Sequence, residues 1–265
     1  MVFYSLITGS SGLLGKYHSD ALLQINHNVV LTDKNLNQLK KDVKFFKKKY
    51  PKKKILGLKM DITSKKNILN VLKSLKKKNI WINNLINNAA IDAKFKRNST
   101  NLNKFENISL KVWNKEIEVG LSGAMLCSQI FGHEMVKKKI KGNILNIGSD
   151  LSVLAPNQNI YIGNKKKQTF IKPITYSVIK HGIVGLTRYI ASYWANKNIR
   201  CNCLSPGPVL NKQSLQLQKN LKKTIPLNRL ANMNEYVGSI KFLCSDDSKY
   251  MTGQNIIIDG GRTIW

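Results

Sequence analysis

Short β-branched apolar runs alternate with longer amphipathic stretches from one end of the chain to the other, and this rhythm restricts the fold more than any other feature. Strand-like runs occupy residues 2–8, 28–33, 55–61, 84–90, 142–149, 199–206 and 254–261. Helical periodicity marks stretches near 13–25, 35–50, 64–78, 110–138, 175–196 and 234–245. Nearly continuous apolar strands, each followed by a helix, predict an α/β protein with a doubly wound parallel sheet of about seven strands and helices on both faces. No repeat or linker divides residues 1–265, so one domain is expected, with a cofactor half over about 1–150 and a catalytic and substrate half over about 149–265. Two polar insertions interrupt the rhythm, 91–108 and 150–173. Both follow strand ends, where open α/β sheets bind ligands.

Composition enters through its charge. The formal net charge is +30, carried by 39 lysines and only five arginines. Base edges and phosphates are read bidentately by arginine, so a lysine excess is a poor nucleic-acid signature and no specific nucleic-acid partner is expected. The lysine runs at Lys47–Lys49, Lys52–Lys54, Lys76–Lys78 and Lys137–Lys139 fall near predicted helix ends, where they are solvated and favoured by the helix dipole. Four irregularly spaced cysteines do not make a disulfide scaffold. Cys201 and Cys203, in one strand, are expected on opposite faces and so without a shared metal or disulfide. His18, His27, His133 and His181 lack ligand-like spacing, and no metal is expected. With no leader-like or membrane-spanning run, the chain reads as a reduced, cytoplasmic protein without membrane insertion.

The stretch "TGSSGLLG" (8–15) follows the first strand and opens a helix. Gly9, Gly12 and Gly15 allow a tight turn and close approach to a pyrophosphate, with helix N-terminal amides facing the anion. Thr8, Ser10 and Ser11 add hydroxyls. Asp33 ends the second strand, 18 residues beyond Gly15, where a carboxylate accepts ribose hydroxyls and repels a 2′-phosphate. NAD is therefore favoured over NADP, although Lys34 weakens the preference. Asp61 and "NNAA" (87–90) extend this polar line along one sheet edge, and "DITS" is also a helix-start signal.

"YSVIK" sets Tyr176 and Lys180 four residues apart, on one helix face. A free tyrosine, with a pKa near ~10, is a poor acid–base group at neutral pH, and an adjacent ammonium stabilises its phenolate. Such a pair can move a proton to or from a carbonyl or alcohol oxygen, and Ser149, at a strand end, can hydrogen-bond that oxygen.

Taken together, "TGSSGLLG", Asp33, Asp61, "NNAA", Ser149, "YSVIK", "IRCNCLSPGPV" and "MTGQNIIIDGG" closely resemble the short-chain dehydrogenase/reductases over essentially the full chain. The resemblance implies a single-domain Rossmann fold, Tyr176 as catalytic acid/base, Lys180 as the group that holds the nicotinamide ribose and tunes Tyr176, and Ser149 as the group orienting the substrate oxygen. It implies a cofactor held along Thr8, Gly9, Ser11, Gly12, Leu13, Leu14, Gly15, Asp33, Asp61, Ile62, Asn88, Ala89, Ala90, Tyr176, Lys180, Pro206, Gly207 and Val209. A homodimer or homotetramer paired through the helices near 110–138 and 175–196 is also implied. Within the family, the segment from Ser149 onward looks most like oxidoreductases of surface-polysaccharide and flagellin-glycan clusters.

Three departures stand out. The family's TGxxxGxG pattern would place glycine at position 13, where Leu13 stands. Gly120 replaces a usual asparagine that links a water to the catalytic lysine, with Ser122 a possible substitute. Ser149 and Tyr176 are 27 residues apart, about twice the family's spacing, and the extra loop carries Lys165–Lys167 and Lys172.

The expected function is an NAD(P)-dependent interconversion of a secondary alcohol and a ketone, on a small anionic sugar derivative bearing phosphate or a nucleotide. Two alternatives stand beside it. One is a 3-oxoacyl-acyl-carrier-protein reductase, against which Asp33 argues because those enzymes commonly prefer NADP. The other is a redox-inactive, nucleotide-sensing protein that binds nucleic acid, against which the intact Ser–Tyr–Lys set argues.

Overall fold

The computed structural model describes residues 3–91, 101, 103–163 and 167–265. Seven strands form one parallel sheet: β1 (Tyr4–Thr8), β2 (Asn28–Asp33), β3 (Ile55–Lys59), β4 (Asn84–Asn87), β5 (Gly142–Ile147), β6 (Ile199–Pro206) and β7 (Asn255–Ile258). Their order is β3-β2-β1-β4-β5-β6-β7, so the winding reverses between β1 and β4. β1, β4 and β5 are buried along their whole length; each has an apolar centre, and the asparagines that flank it in β4 and β5 are buried as well. Alternate side chains feed two cores on opposite faces. Leu6, Val30, Leu85 and Ile144 pack with Ile68, Val71 and Phe131 on one side. Ile7, Leu31, Ile86 and Leu145 pack with Leu22, Leu39, Phe46 and Ile240 on the other.

The helices are α1 (Gly15–Gln24), α2 (Leu36–Lys49) and α3 (Lys65–Lys77), then a long helix α4 over 110–137. After it come α5 (Ile174–Trp194), α6 (Leu215–Lys222) and α7 (Val237–Leu243). Asn35 and Ser64 cap α2 and α3 by accepting from Gln38 N and Asn67 N. Lysines fill the last turns of both helices, as the dipole favours. Two π-helical turns, Glu118–Ser122 and Ser128–Gly132, interrupt α4. Helix α6 was not expected from the sequence: only Leu217 and Leu221 are buried, too few to set a visible period.

Cys201 and Cys203 share one face of β6, because strand residues two apart must; the expectation of opposite faces fails on that period. All four cysteines are free and buried. Among the described residues, no group of His, Cys, Asp or Glu is placed to hold a metal ion, and no helix is long and apolar enough to cross a membrane.

Two buried histidines give the fold a pH limit. Burial pushes His18 down to about 4, and neither of its ring nitrogens has a hydrogen-bond partner. Burial, with Lys53 nearby, also pushes His27 down to about 4, and its Nδ1 lies 2.8 Å from Ser5 Oγ. Below an unfolded value of about 6.5 the unfolded chain takes up protons that the folded chain refuses. Stability is therefore fully present above that value and falls as the pH drops toward 4. The loss is on the order of 3 kcal/mol per ring. The melting temperature should fall across this interval, and fall less steeply in His18→Leu. A flat profile in the native chain would contradict the assignment.

Candidate active site

The reversal between β1 and β4 opens a cavity of about 600 Å³ beyond the carboxyl ends of the strands. At its floor the chain leaves β1 through Gly9, whose φ of +59° suits glycine. A Cβ on Gly9 would stand 2.8 Å from Ala89 Cα, and one on Gly15 would stand 2.5 Å from Gly9 O. Gly9 thus packs against the segment after β4 and Gly15 against the turn itself, with no room for a side chain at either. Leu13 is 42% exposed and bears on neither contact.

Thr8 and Gly15 stand behind the cavity wall and shape the turn. Thr8 Oγ1 accepts from Asn88 N and Ala89 N, both at 3.0 Å. Asn88 Nδ2 donates to Thr8 O and Gly9 O at 3.0 and 2.9 Å, so this amide braces the turn. Gly9, Ser11, Gly12, Leu13, Leu14, Asp33, Asp61, Ile62, Asn88, Ala89, Ala90, Ser149, Tyr176, Lys180, Pro206, Gly207 and Val209 all lie in the cavity wall.

Asp33 accepts from Ser11 N at 3.2 Å and Asn35 N at 2.8 Å, which fixes its carboxylate beside the turn. Asp61 accepts from Thr63 N at 3.0 Å and Thr63 Oγ1 at 2.8 Å, so it is also a turn cap. Those bonds, led by the Thr63 amide, hold its carboxyl below the usual range, with Lys34 and Lys59 adding to the effect. Ser10 Oγ and Ser11 Oγ are buried without a hydrogen-bond partner. Orphaned hydroxyls beside a turn that admits no Cβ at Gly9 or Gly15, with a fixed carboxylate next to it, fit a dinucleotide.

Ser149, Tyr176 and Lys180 line the same cavity. Lys180, 7% exposed, donates to Ile147 O at 2.8 Å, and its ammonium lies 5.7 Å from the Tyr176 ring centroid. Lys172 Nζ stands over the same ring at 3.7 Å. The 150–173 insertion reaches the site through Pro156, Ile160, Tyr161, Phe170 and Lys172; Lys165 and Lys166 fall outside the described residues, as does most of 91–108.

Gly120 lies in the first π turn, where a Cβ would be 2.7 Å from Ile179 Cγ2. An asparagine there would have to displace the side chain of Ile179, which stands on α5 one turn from Tyr176. Sequence reading missed Asp150 and Arg262, a buried ion pair in the cavity wall. Its one visible signal was an arginine, rare in this chain, just after "DGG".

A doubly wound sheet with a dinucleotide cradle at its reversal and a Ser–Tyr–Lys cluster in the same cavity defines an NAD(P)-dependent oxidoreductase. The chain belongs to the short-chain dehydrogenase/reductase family: a family model described as enoyl-(acyl carrier protein) reductase matches residues 14–263. It is 32% identical to an NAD-dependent glycerol dehydrogenase of Listeria innocua, over 98% of this chain and 93% of the relative. It is 30% identical to post-translational flagellin modification protein A of Campylobacter coli, over 96% of each. A 3-oxoacyl-acyl-carrier-protein reductase of Buchnera aphidicola is 30% identical over 97% of this chain and 96% of its own length. A short chain dehydrogenase of Leptospira borgpetersenii, solved with bound NAD+, superposes with a TM-score of 0.83 at 32% identity, covering 99% and 93% of the two chains.

Proposed function

We infer that this enzyme uses NAD to interconvert a secondary alcohol and a ketone on a sugar derivative bearing phosphate or a nucleotide. The observation that carries the chemistry is the convergence of Ser149, Tyr176 and Lys180 on the cavity that begins at the Gly9 turn. When bound, the nicotinamide supplies the two-electron acceptor or donor. The turn from Gly9 to Leu14, shaped by Thr8 and Gly15, would hold the pyrophosphate. Asp33 would take the ribose hydroxyls, and Asp61, Ile62, Asn88, Ala89, Ala90, Pro206, Gly207 and Val209 would complete the cofactor wall. Tyr176 Oη exchanges the proton of the reacting oxygen, Ser149 orients that oxygen, and the Lys180 ammonium favours the phenolate.

NAD is supported by Asp33, whose fixed carboxylate repels a 2′-phosphate. An anionic sugar is supported by Lys172 in the wall beside Tyr176 and by the likeness to a flagellin modification protein. Homo-oligomerisation is supported by Tyr189 and Tyr193, which stack at 5.7 Å on α5 and are 66% and 63% exposed.

The test is a turnover screen of neutral, phosphorylated and nucleotide-linked sugars with NAD+ and NADP+. Phosphorylated or nucleotide-linked sugars should exceed their neutral counterparts, and NAD+ should exceed NADP+, each by about tenfold or more, the scale of one charge contact. Equal turnover of neutral and anionic sugars would remove the anion reading. Preferred reduction of a 3-oxoacyl thioester with NADPH would favour the acyl-carrier-protein reductase instead, the reading that the Buchnera relative supports.

A further inference from the structure

We propose that Lys172 is a positioning residue for the proton of Tyr176: the 150–173 insertion holds its ammonium over the phenol ring, where it favours the phenolate. This rests on the acid–base role given to Tyr176 above. Lys172 Nζ stands 3.7 Å from the ring centroid, nearer than Lys180 Nζ at 5.7 Å. Lys172 and Tyr176 are both half-buried. A phenolate spreads its charge over the ring as well as the oxygen, so a cation above the face attracts it more strongly than it attracts the phenol. An opposite charge within about 4–6 Å lowers the pKa of an acid by about 1–3 units.

The insertion is built to fix that ammonium. One side chain clamps the main chain of Lys172: Gln158 Nε2 donates to Lys172 O, and Gln158 Oε1 accepts from Lys172 N, both at 3.0 Å. Gln168 Nε2 donates to Gln158 O at 3.0 Å, and Asn103 Nδ2 donates to Ile171 O at 3.0 Å. Asn220 Nδ2, on α6, donates to Ile160 O at 2.8 Å and to Ile162 O at 3.1 Å, which ties the insertion to that helix. Phe170 is buried, with its ring against Tyr161 at 5.1 Å. A lysine fixed at its backbone loses less freedom when its side chain takes up one position.

Among the described residues, the other ionisable groups packed around this end of α5 have partners of their own. Arg262 is paired with Asp150 in the cavity wall. Glu116 of α4 accepts from the Thr175 hydroxyl, and exposed His181 has Nδ1 3.0 Å from Ser177 O. Asp33, Lys34 and Asp61 line the cavity at the end of β2 and after β2 and β3. Lys172 and Lys180 are thus the two cations set against the Tyr176 ring. An ammonium has three donors, so Lys172 over the ring can still meet a substrate anion. The deciding measurement therefore contains no substrate.

Tyrosinate absorbance is titrated in the full chain, native and Lys172→Met, each against its Tyr176→Phe counterpart, so that the difference isolates Tyr176. Its titration should move up by about one pH unit in Lys172→Met. It should stay near the native value in Lys172→Arg, whose guanidinium also stacks on a ring. Oxidation of an alcohol needs the phenolate as proton acceptor. With a neutral sugar from the screen, the rise of kcat/KM with pH should therefore move up by the same interval. A merely structural defect would lower kcat/KM at every pH and leave the titration in place. A Tyr176 titration that does not move in Lys172→Met, or that moves equally in Lys172→Arg, would overturn the assignment. If the native enzyme turned over nothing in the screen, the proposed function would fail, and the titration would still decide the role of Lys172.

Discussion

Tyr176→Phe is expected to lower kcat by about a thousandfold while leaving cofactor affinity within a factor of about two. The change removes one oxygen from a half-buried ring and nothing from the packing of α5. Lys180 keeps its bond to Ile147 O, and Lys172 keeps its aromatic face, so both cations stay in place. What disappears is the only hydroxyl on that helix face able to exchange a proton with the substrate oxygen. Steady-state turnover with the best substrate of the screen, paired with calorimetric titration of NAD+, separates the two effects. A variant that kept a tenth or more of native kcat would remove Tyr176 from the acid–base role. One that lost cofactor binding as well would point to a structural role instead.

The second large effect is expected at Gly15, not at Gly12. A valine at Gly15 would drive its Cβ to 2.5 Å from Gly9 O and 2.8 Å from Ser10 Cα, both backbone atoms that cannot swing aside. Either α1 moves off the turn or the turn opens, and each destroys the cradle. NAD+ affinity should fall by about 100-fold, with a stability loss of about 2 kcal/mol from overpacking. At Gly12 the added Cβ would lie 3.1 Å from Gly9 O, a smaller intrusion, and Gly12→Ala should cost about tenfold or less in affinity. Leu13→Ala should cost less than either, because Leu13 is 42% exposed and its side chain meets none of the contacts that close the turn. Calorimetric titration and thermal melting of the three variants give the order directly. A larger loss at Leu13 than at Gly15 would contradict this geometry.

The lysine-rich composition bears on neither effect. The runs at the ends of α2 and α3 are solvated last turns, and ion pairs such as Lys141–Asp246 at 2.7 Å lie at the surface. Exposed pairs of this kind contribute little to stability. The excess of lysine is laid over an ordinary fold and leaves the cavity's chemistry to a few residues.

All seven strands, and the helices that cover them except α6, were legible because period and burial leave a local trace. A strand buried on both faces keeps an apolar centre, such as Leu85–Ile86 or Ile144–Leu145, and a helix covering a sheet must repeat near every fourth residue. The Gly9 turn, Asp33 and the Tyr176–Lys180 pair were legible for a similar reason: each depends on spacing within one element or one turn. The sequence by itself determined the sheet, its winding and the chemistry at the strand ends. The tertiary structure alone decided which glycines the turn cannot lose, since that depends on Ala89 and on backbone folded back from Gly9. It alone gave Asn88, in the cavity wall, a second task as brace of the turn, and set the Ile179 side chain against position 120. It also joined Asp150 to Arg262 across 112 residues. Contacts between residues so far apart along the chain follow from packing, which no local period or spacing encodes.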